Sequence, residues 1–574
     1  MNKPVARISA LSLSILLFAG CATTSVVPSA SPAHQAAMTL LEQGQAREAA
    51  QQLEAQAAQL RGTQRNQLLA DAAFAWHEAG DAARARTLVA QVQPRQLGGA
   101  SLQRFHLLGA ELALADGQPA QALQALGGSP DQVPQTLQAR WYLARAQALE
   151  ATGDRFDAAG ARARAGILLA GTARSDNQRA ITRLLATLDD NTLRNRAAAL
   201  PVGEPLYNHA GRALIARGLS LPRPFDRDAQ WQLDTSKRPP ADRDGYRPPL
   251  KLAVLLPLSG QMATAAAPVR DGLLTGYYGE TRRRPEIQFI DTQGTAAGAG
   301  AAYDKAVADS ADFIVGPLGR EEVDALFARD QLPVPMLALN RGKDAPPPGS
   351  AGFSLAPEDD GIMAAEYLLA RERRNVLVLG SNDDNGRRAV AAFSERFNER
   401  GGQVAASVTV SDNPADIGAQ LRQVSGVDAV FLAVRGNQAR ALAPQLALAG
   451  LAGASRVGTS QLVAGTGKPE EDMALDGIAF PSEAWTTRGV AGLPAASAVA
   501  ATLPTARGAA GRLFAFGFDA WQISAYLERL ATAADGGLPG ATGMLHLDGF
   551  GNILRTPAWS TFSGGRPMPI ADGR

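Results

Sequence analysis

The chain has 574 residues, too many for one hydrophobic core, so three or more compact units are expected. Its apolar fraction of 46% and charged fraction of 19% are those of a globular protein. A net charge of +1, with no basic stripe carrying interleaved aromatics, gives no electrostatic basis for binding nucleic acid. The one cysteine, Cys21, excludes disulfides within the chain and any multi-cysteine metal site.

Lys3 and Arg7 form a positive start, followed by an apolar run from Ile8 to Ala19. That run is too short to span a membrane and reads as a cleaved signal. Phe18-Ala19-Gly20-Cys21 resembles a bacterial lipobox, with Phe18 where Leu is usual. The expectation is a signal over 1–20 and a lipid anchor at Cys21. An ordinary secretory signal with an incidental cysteine is the alternative. Residue 22 is Ala rather than the Asp that commonly retains lipoproteins in the inner membrane, so the resemblance implies the periplasmic face of the outer membrane.

Residues 21–33 are small, polar and proline-broken, the composition of a tether. From His34 to about Gly218 the sequence is helical, rich in Ala, Leu, Gln and Arg. Gly44, Gly80, Gly117 and Gly153 recur at spacings of 36, 37 and 36, each followed five residues later by Ala. The physical sense is a helix ended by Gly and a second helix packed closely through Ala. The pattern resembles a degenerate tetratricopeptide repeat; an irregular Ala-rich bundle is the alternative. His77-Glu78 lacks the second histidine of a zinc-protease helix, since position 81 is Asp. His34, His106 and His209 read as isolated structural or surface residues. Six prolines break 219–249, which reads as a semi-rigid linker with a short ordered piece near 225–233. Arg282-Arg283-Arg284 reads as a solvated helix end.

The remainder, 250–574, alternates strand and helix. Strands are predicted at 251–256, 286–291, 312–316, 334–339, 375–380, 403–410, 428–434, 455–460 and 476–481. Such alternation makes parallel sheets, and nine strands suit two lobes. Leu-His-Leu-Asp and Asn-Ile-Leu-Arg after Gly540 predict a hairpin. Ligands in doubly wound folds sit beyond the carboxyl ends of the strands, which points to Ser259 and Gln261. The plainer reading of Ser259 is a helix cap. Asp383 or Asp384 is the expected cap of the helix after the 375–380 strand. There is no Ser-x-x-Lys, Lys-Thr-Gly, G-x-S-x-G or complete phosphate loop, and no cofactor or metal site is expected.

Leu-Pro-Leu-Ser-Gly-Gln at 256–261, Phe-Ile-Val-Gly-Pro-Leu-Gly at 313–319, Val-Pro-Met-Leu-Ala-Leu-Asn at 334–340 and the stretch 375–388 resemble the type I periplasmic binding protein fold. Adding Phe-Gly-Phe-Asp-Ala-Trp-Gln-Ile at 516–523 and the hairpin at 542–555, the chain is similar to the LpoA family. These are outer-membrane lipoproteins that activate a class A penicillin-binding protein. The resemblance implies a multidomain chain, with an all-α TPR-like solenoid followed by a two-lobed α/β module. It implies a non-enzymatic regulator of peptidoglycan synthesis, partnered by the synthase and the outer membrane, with peptidoglycan a further candidate contact. The alternative is a lipoprotein that binds an amino acid or peptidoglycan fragment. Transport-type relatives hold ligands at turns matched here by Ser259, Leu318, Asn340, Asn382 and Asp383. Arg320 and Asn385 stand where such binders commonly place Ser or Thr and Tyr, so a vestigial cleft is expected.

Overall fold

A computed structural model describes residues 31–227, 238–329, 331–414, 417–463, 468–532 and 537–570. Cys21, the signal and most of the tether lie outside the described residues. The chain divides into two compact units, one ending at Thr152 and one running from Gly153.

The first unit is helical: α1 (Pro32–Glu42), α2 (Ala46–Gln59), α3 (Gly62–Glu78), α4 (Ala82–Val89), α5 (Gly99–Ala115), α6 (Pro119–Ala125) and α7 (Gln135–Ala151). The repeat is built as its spacing implies. Gly44, Gly80, Gly117 and Gly153 each follow a helix end with φ of +80°, +82°, +69° and +92°, the left-handed conformation that glycine adopts without strain. Ala49, Ala85, Ala122 and Ala158 are all 0% exposed, so the close-packing role assigned to them holds. Successive antiparallel pairs stack into a TPR-like solenoid over a core that includes Leu53, Phe74, Leu107 and Trp141. His77 and Glu78 serve an ion network: His77 lies 3.1 Å from Glu111, and Arg140 pairs with both Glu111 and Glu78. His34 and Arg104 each bond the fully buried Asp71 at 2.8 Å. Burial raises the Asp71 pKa, but these bonds outweigh it and hold the carboxyl below its usual range.

The second unit opens with α8 (Arg155–Leu168), α9 (Gly171–Ala186), α10 (Asp190–Ala198) and α11 (Leu206–Ala216). These four helices belong with the α/β module, whereas the sequence placed all of 34–218 in one helical domain. The described parts of 219–249 are also fastened down rather than free. Arg238 is buried and donates to Asp312 at 3.0 Å, and Arg247 pairs with Glu528 at 3.0 Å. Tyr246 is 2% exposed and donates to the Arg283 carbonyl. Arg282, Arg283 and Arg284 are exposed, as expected, and Arg282 is also engaged: its guanidinium lies 3.8 Å over the Tyr246 ring and pairs with Glu280 and Asp244 at 2.9 and 3.0 Å.

The first lobe contains β1 (Lys251–Leu256), α12 (Ala263–Gly279), β2 (Glu286–Asp291), α13 (Ala296–Ala308), β3 (Phe313–Val315), α14 (Arg320–Phe327), β4 (Met336–Ala338) and β5 (Ala351–Phe353). The second contains α15 (Pro357–Leu369), β6 (Asn375–Ser381), α16 (Asp384–Glu399), β7 (Gln403–Val410), α17 (Gly418–Leu421), β8 (Ala429–Ala433), α18 (Gly436–Leu448), β9 (Ser455–Gly458), α19 (Pro469–Asp472) and β10 (Ala479–Ser482). The chain then passes through α20 (Ala484–Thr487) and α21 (Ala496–Thr502) to α22 (Ala510–Thr532), which packs on α12. β11 (Gly537–Pro539), β12 (Met544–Leu547) and β13 (Asn552–Thr556) join the first sheet; β14 (Ala558–Ser563) and β15 (Arg566–Pro569) join the second. The sheet orders are β11-β12-β13-β5-β4-β3-β1-β2 and β15-β14-β10-β9-β8-β6-β7. Pairing is parallel from β2 through β5 and from β7 through β10, and the expected hairpin pairs Leu545 with Arg555. This is the two-lobed type I periplasmic binding protein architecture. Strands β5, β11, β14 and β15 carried no clear signal; two of them span three residues each.

Helix α12 buries Val269 and Leu273 fully and leaves Tyr278 69% exposed.

Candidate functional site

The chain crosses between the lobes three times, at residues 354–356, at Glu483 and at Pro557. The candidate site is the cleft between the lobes. Its first-lobe residues follow the carboxyl ends of β1, β3 and β4. Ser259 is exposed, and its hydroxyl donates to Asp291 at 2.5 Å. Neither it nor any other side chain caps α12, so the helix-cap reading fails. That bond is the main cause holding the Asp291 carboxyl below its usual range. Gln261 is exposed beside it. Leu318 is 8% exposed and belongs to the first lobe's core, so it offers the cleft no side chain. Asn340 is turned inward: its amide donates to the Leu318 carbonyl at 2.9 Å, and its side-chain oxygen accepts from the Arg341 amide.

In the second lobe, Asn382 is exposed after β6, and its backbone amide is bound to Val410. Asp383 caps α16 through the Gly386 amide at 2.8 Å and pairs with Arg435 at 2.7 Å. The capping assignment therefore holds. Burial opposes ionisation of Asp383, but its bonds prevail and keep the carboxyl below its usual range. Ser259, Asn340 and Asp383 are thus engaged within this chain, while Gln261 and Asn382 lie exposed.

The lobes are joined by buried charge that sequence reasoning missed. Asp360, Glu483 and Arg555 are all nearly fully buried, and each sits within a few residues of a different crossing. Asp360 accepts from the Ser460 amide at 3.0 Å and from its hydroxyl at 2.5 Å. Arg512 of α22 lies 3.1 Å from Glu483 and 3.7 Å from Asp360, and Arg555 lies 3.5 Å from Asp360. Burial pushes Arg555 below its usual pKa, with Arg512 beside it acting in the same direction. Arg341 of the first lobe also reaches Asp359 of α15 at 2.8 Å. Breaking such pairs leaves uncompensated buried charge, which resists hinge motion. The one signal available in the sequence was Arg555, a charge directly after the apolar pair Ile553-Leu554 in a predicted strand.

A second clamp crosses both lobes. On the second lobe, Arg400 donates to the carbonyl of Leu188 at 3.0 Å and approaches Asp190 at 3.4 Å. On the first, α11 docks on the turn between β12 and β13. His209 packs against Phe550 with ring centroids 4.7 Å apart and the planes tilted by 51°, and Arg212 lies 3.4 Å from Asp548. Gly549 leaves the space that Asn208 fills: a Cβ there would lie 1.7 Å from the Asn208 side-chain nitrogen. Helices α9 to α11 therefore form a strap holding the two lobes at one angle. Among the described residues no group of acidic, histidine or cysteine side chains could hold a metal ion, and no helix is long and apolar enough to cross a membrane.

The comparisons with known proteins agree with this architecture. The family model described as "LppC putative lipoprotein" matches residues 43–201, 246–426 and 415–565. The penicillin-binding protein activator LpoA of Photobacterium profundum is 26% identical over 363 residues, covering 56% of this chain and 57% of the relative. That of Aliivibrio fischeri is 24% identical, covering 54% of this chain and 56% of its own. The chain thus matches somewhat over half the length of these curated relatives. Among solved structures, Haemophilus influenzae LpoA in a monoclinic form aligns over 95% of this chain and 98% of its own, with a TM-score of 0.54 and 18% identity. Another monoclinic form of full-length LpoA from the same organism aligns over 91% of this chain and 98% of its own, with a TM-score of 0.50 and 19% identity. These likenesses concern the fold. With three matched segments running through the solenoid and both lobes, the chain belongs to the LppC lipoprotein family.

Proposed function

We propose that this chain is a non-enzymatic regulator of peptidoglycan synthesis that binds and stimulates a bifunctional class A penicillin-binding protein. The reading places it on the periplasmic side of the outer membrane, anchored through a lipidated Cys21. Support comes from the relatives named as penicillin-binding protein activators and from the lipoprotein family match. The observation that carries it is the state of the cleft. Ser259, Asn340 and Asp383 are bound by Asp291, Leu318 and Arg435, and the strap spans both lobes. A ligand-binding fold with these three polar groups already engaged and its lobes bridged suits a fixed interaction surface. Fold alone does not assign function; the engaged residues add what the fold cannot. Activation needs only a preference for the partner's active conformation, about 1–3 kcal/mol for a 5- to 150-fold effect.

Crosslinking in cells, followed by identification of the captured protein, tests this reading. Capture of a class A synthase is expected. Micromolar binding of an amino acid or muropeptide, lost in Ser259→Ala, with no synthase captured, would favour the ligand-binding alternative. Cys21→Ala is expected to leave the outer-membrane fraction; unchanged detergent partitioning would contradict the anchor.

A further inference from the structure

From Gly489 to Ala506 the sequence carries no charged residue, although 19% of the chain is charged. The inner side of this stretch is core. Val499 is buried with Trp485, Phe514 and Phe518, and Leu493 and Leu503 pack beside them. Its outer side is surface: Ala491, Pro494, Ala495, Ala498, Ala501 and Pro504 are all exposed. A face that meets only water ordinarily carries charges of both signs. Two contacts lay the stretch along α12. Thr505 donates to Asp271 at 2.7 Å, and a Cβ on Gly279 would lie 3.9 Å from the Gly492 carbonyl oxygen. The uncharged face therefore runs up to Tyr278, the residue before Gly279.

Tyr278 is exposed but not loose. Its ring meets that of Tyr277 edge to face at 5.2 Å, and Tyr277 meets the buried Trp521 in the same way at 5.4 Å. The Arg284 guanidinium lies 5.1 Å from the Tyr277 ring centre and 5.8 Å from that of Tyr278. A large ring ordered before any partner arrives removes that entropy cost from binding. The charge bordering the face is positive. Arg283 and Arg284 are exposed and pair with no carboxylate among the described residues. The nearby carboxylates are taken, Asp271 by Arg270 and Glu280 by Arg282. At the other end Arg507 donates to the carbonyls of Ala500 and Ala501.

We propose that Tyr278 and the outer side of 489–506 form the face that docks the class A synthase, through an apolar surface of the synthase bordered by acidic side chains. Naming the synthase rests on the regulatory reading above. Two observations select a protein of that chemistry. A centre free of charge, with Tyr and Arg retained beside it, is the composition of a protein interface core. The unpaired Arg283 and Arg284 call for acidic groups opposite them. A sugar polymer is the poorer fit, because it needs hydrogen-bonding side chains around the ring. Of the exposed residues from 491 to 504, only Ser497 and Thr502 carry polar side chains.

Titration of the full chain carrying Cys21→Ser against a purified class A synthase tests this. Tyr278→Ala and Ala498→Glu are each expected to weaken binding about tenfold or more and to reduce stimulated crosslinking. Melting should stay unchanged, since both side chains are exposed. Should Tyr278→Ala melt early, Ala498→Glu decides. Arg283→Glu combined with Arg284→Glu slows association and flattens its dependence on salt. Wild-type binding and stimulation in all these variants overturn the docking face and leave the regulatory reading standing. An unsubstituted face that neither binds nor stimulates the synthase removes that reading, and the proposal with it. Variants that bind the synthase normally but no longer sediment with purified peptidoglycan also overturn the proposal, and assign the face to the sugar polymer.

Discussion

Arg217 and Arg400 share one acceptor: they donate to the Leu188 carbonyl at 2.9 and 3.0 Å. Arg217 follows α11, and Arg400 follows α16 of the second lobe. Burial first, and then the nearby Arg400, bring the Arg217 pKa down to about 10. Two like charges are held together there by the carbonyls at the end of α9, the negative pole of its helix dipole.

Removing one of these anchors loosens the strap. Arg400→Ala is expected to lower stability by about 1–3 kcal/mol, the range for losing charged hydrogen bonds to buried acceptors. Arg400→Lys recovers only part, because one ammonium cannot reproduce the guanidinium fork that bonds Leu188 and approaches Asp190. Urea unfolding measures both; an unchanged midpoint for Arg400→Ala would remove Arg400 from the clamp.

The other end of the strap is set by a glycine. In Gly549→Ala the new Cβ would lie 1.7 Å from Asn208 and 2.6 Å from the Asp226 carbonyl. Asn208 cannot simply move aside, since it exchanges two hydrogen bonds with the Asp226 backbone at 2.7 and 2.8 Å. A loss of about 1–3 kcal/mol is expected, as for overpacking. The double variant with Asn208→Ala should lose less than the sum of the single changes. Strict additivity would show that the two residues do not meet.

Helices α12 and α22 touch backbone to backbone. A Cβ at Gly272 would lie 1.9 Å from the Phe514 carbonyl, and one at Gly517 would lie 1.9 Å from that of Val269. Neither obstacle is a movable side chain. Gly272→Ala and Gly517→Ala are each expected to cost about 3 kcal/mol or more. Calorimetric melting would show this; wild-type melting in either variant would contradict the crossing geometry.

Acid should weaken strap docking through His209. Burial, and to a lesser degree Arg212, lower its pKa to about 3. The unfolded chain takes up a proton near pH 6.5 that the folded chain refuses. The contribution of His209 is therefore complete above about pH 6.5 and is lost as pH falls toward about 3, by up to about 1.4 kcal/mol per pH unit. Stability measured from pH 7 to 5 should fall less steeply in His209→Gln. An identical slope would show that the histidine does not titrate against folding.

Much of the fold was legible because its signals were local. Glycine at helix ends, buried alanine five residues on and apolar runs at β1, β6 and β8 each name an element without long-range information. The motif Phe-Gly-Phe-Asp-Ala-Trp-Gln-Ile was recognisable, but its meaning was not. Phe516 stacks on Phe353, Gly517 makes the helix crossing, and Asp519 accepts from the Ala541 and Thr542 amides. Trp521 meets Tyr277 edge to face. These are structural tasks, not chemistry. The strap and the buried charges at the crossings were illegible because their members lie in separate elements, each unremarkable in its own stretch. Leu318 misled for the opposite reason: its place in the loop after β3 was right, and its side chain turns into the core.

On the proposed function, this chain raises the activity of a class A synthase without chemistry of its own. The most direct measurement adds the purified chain to such a synthase with its lipid-linked substrate and reads peptide crosslinking. Crosslinking is predicted to rise over the synthase alone, and muropeptides incubated with the chain alone should stay unchanged by mass spectrometry. Because α8 to α11 belong with the lobes, a fragment from Gly153 is expected to retain the effect better than one from Arg247. No rise with the full chain, or new muropeptide products made by the chain alone, would contradict the account.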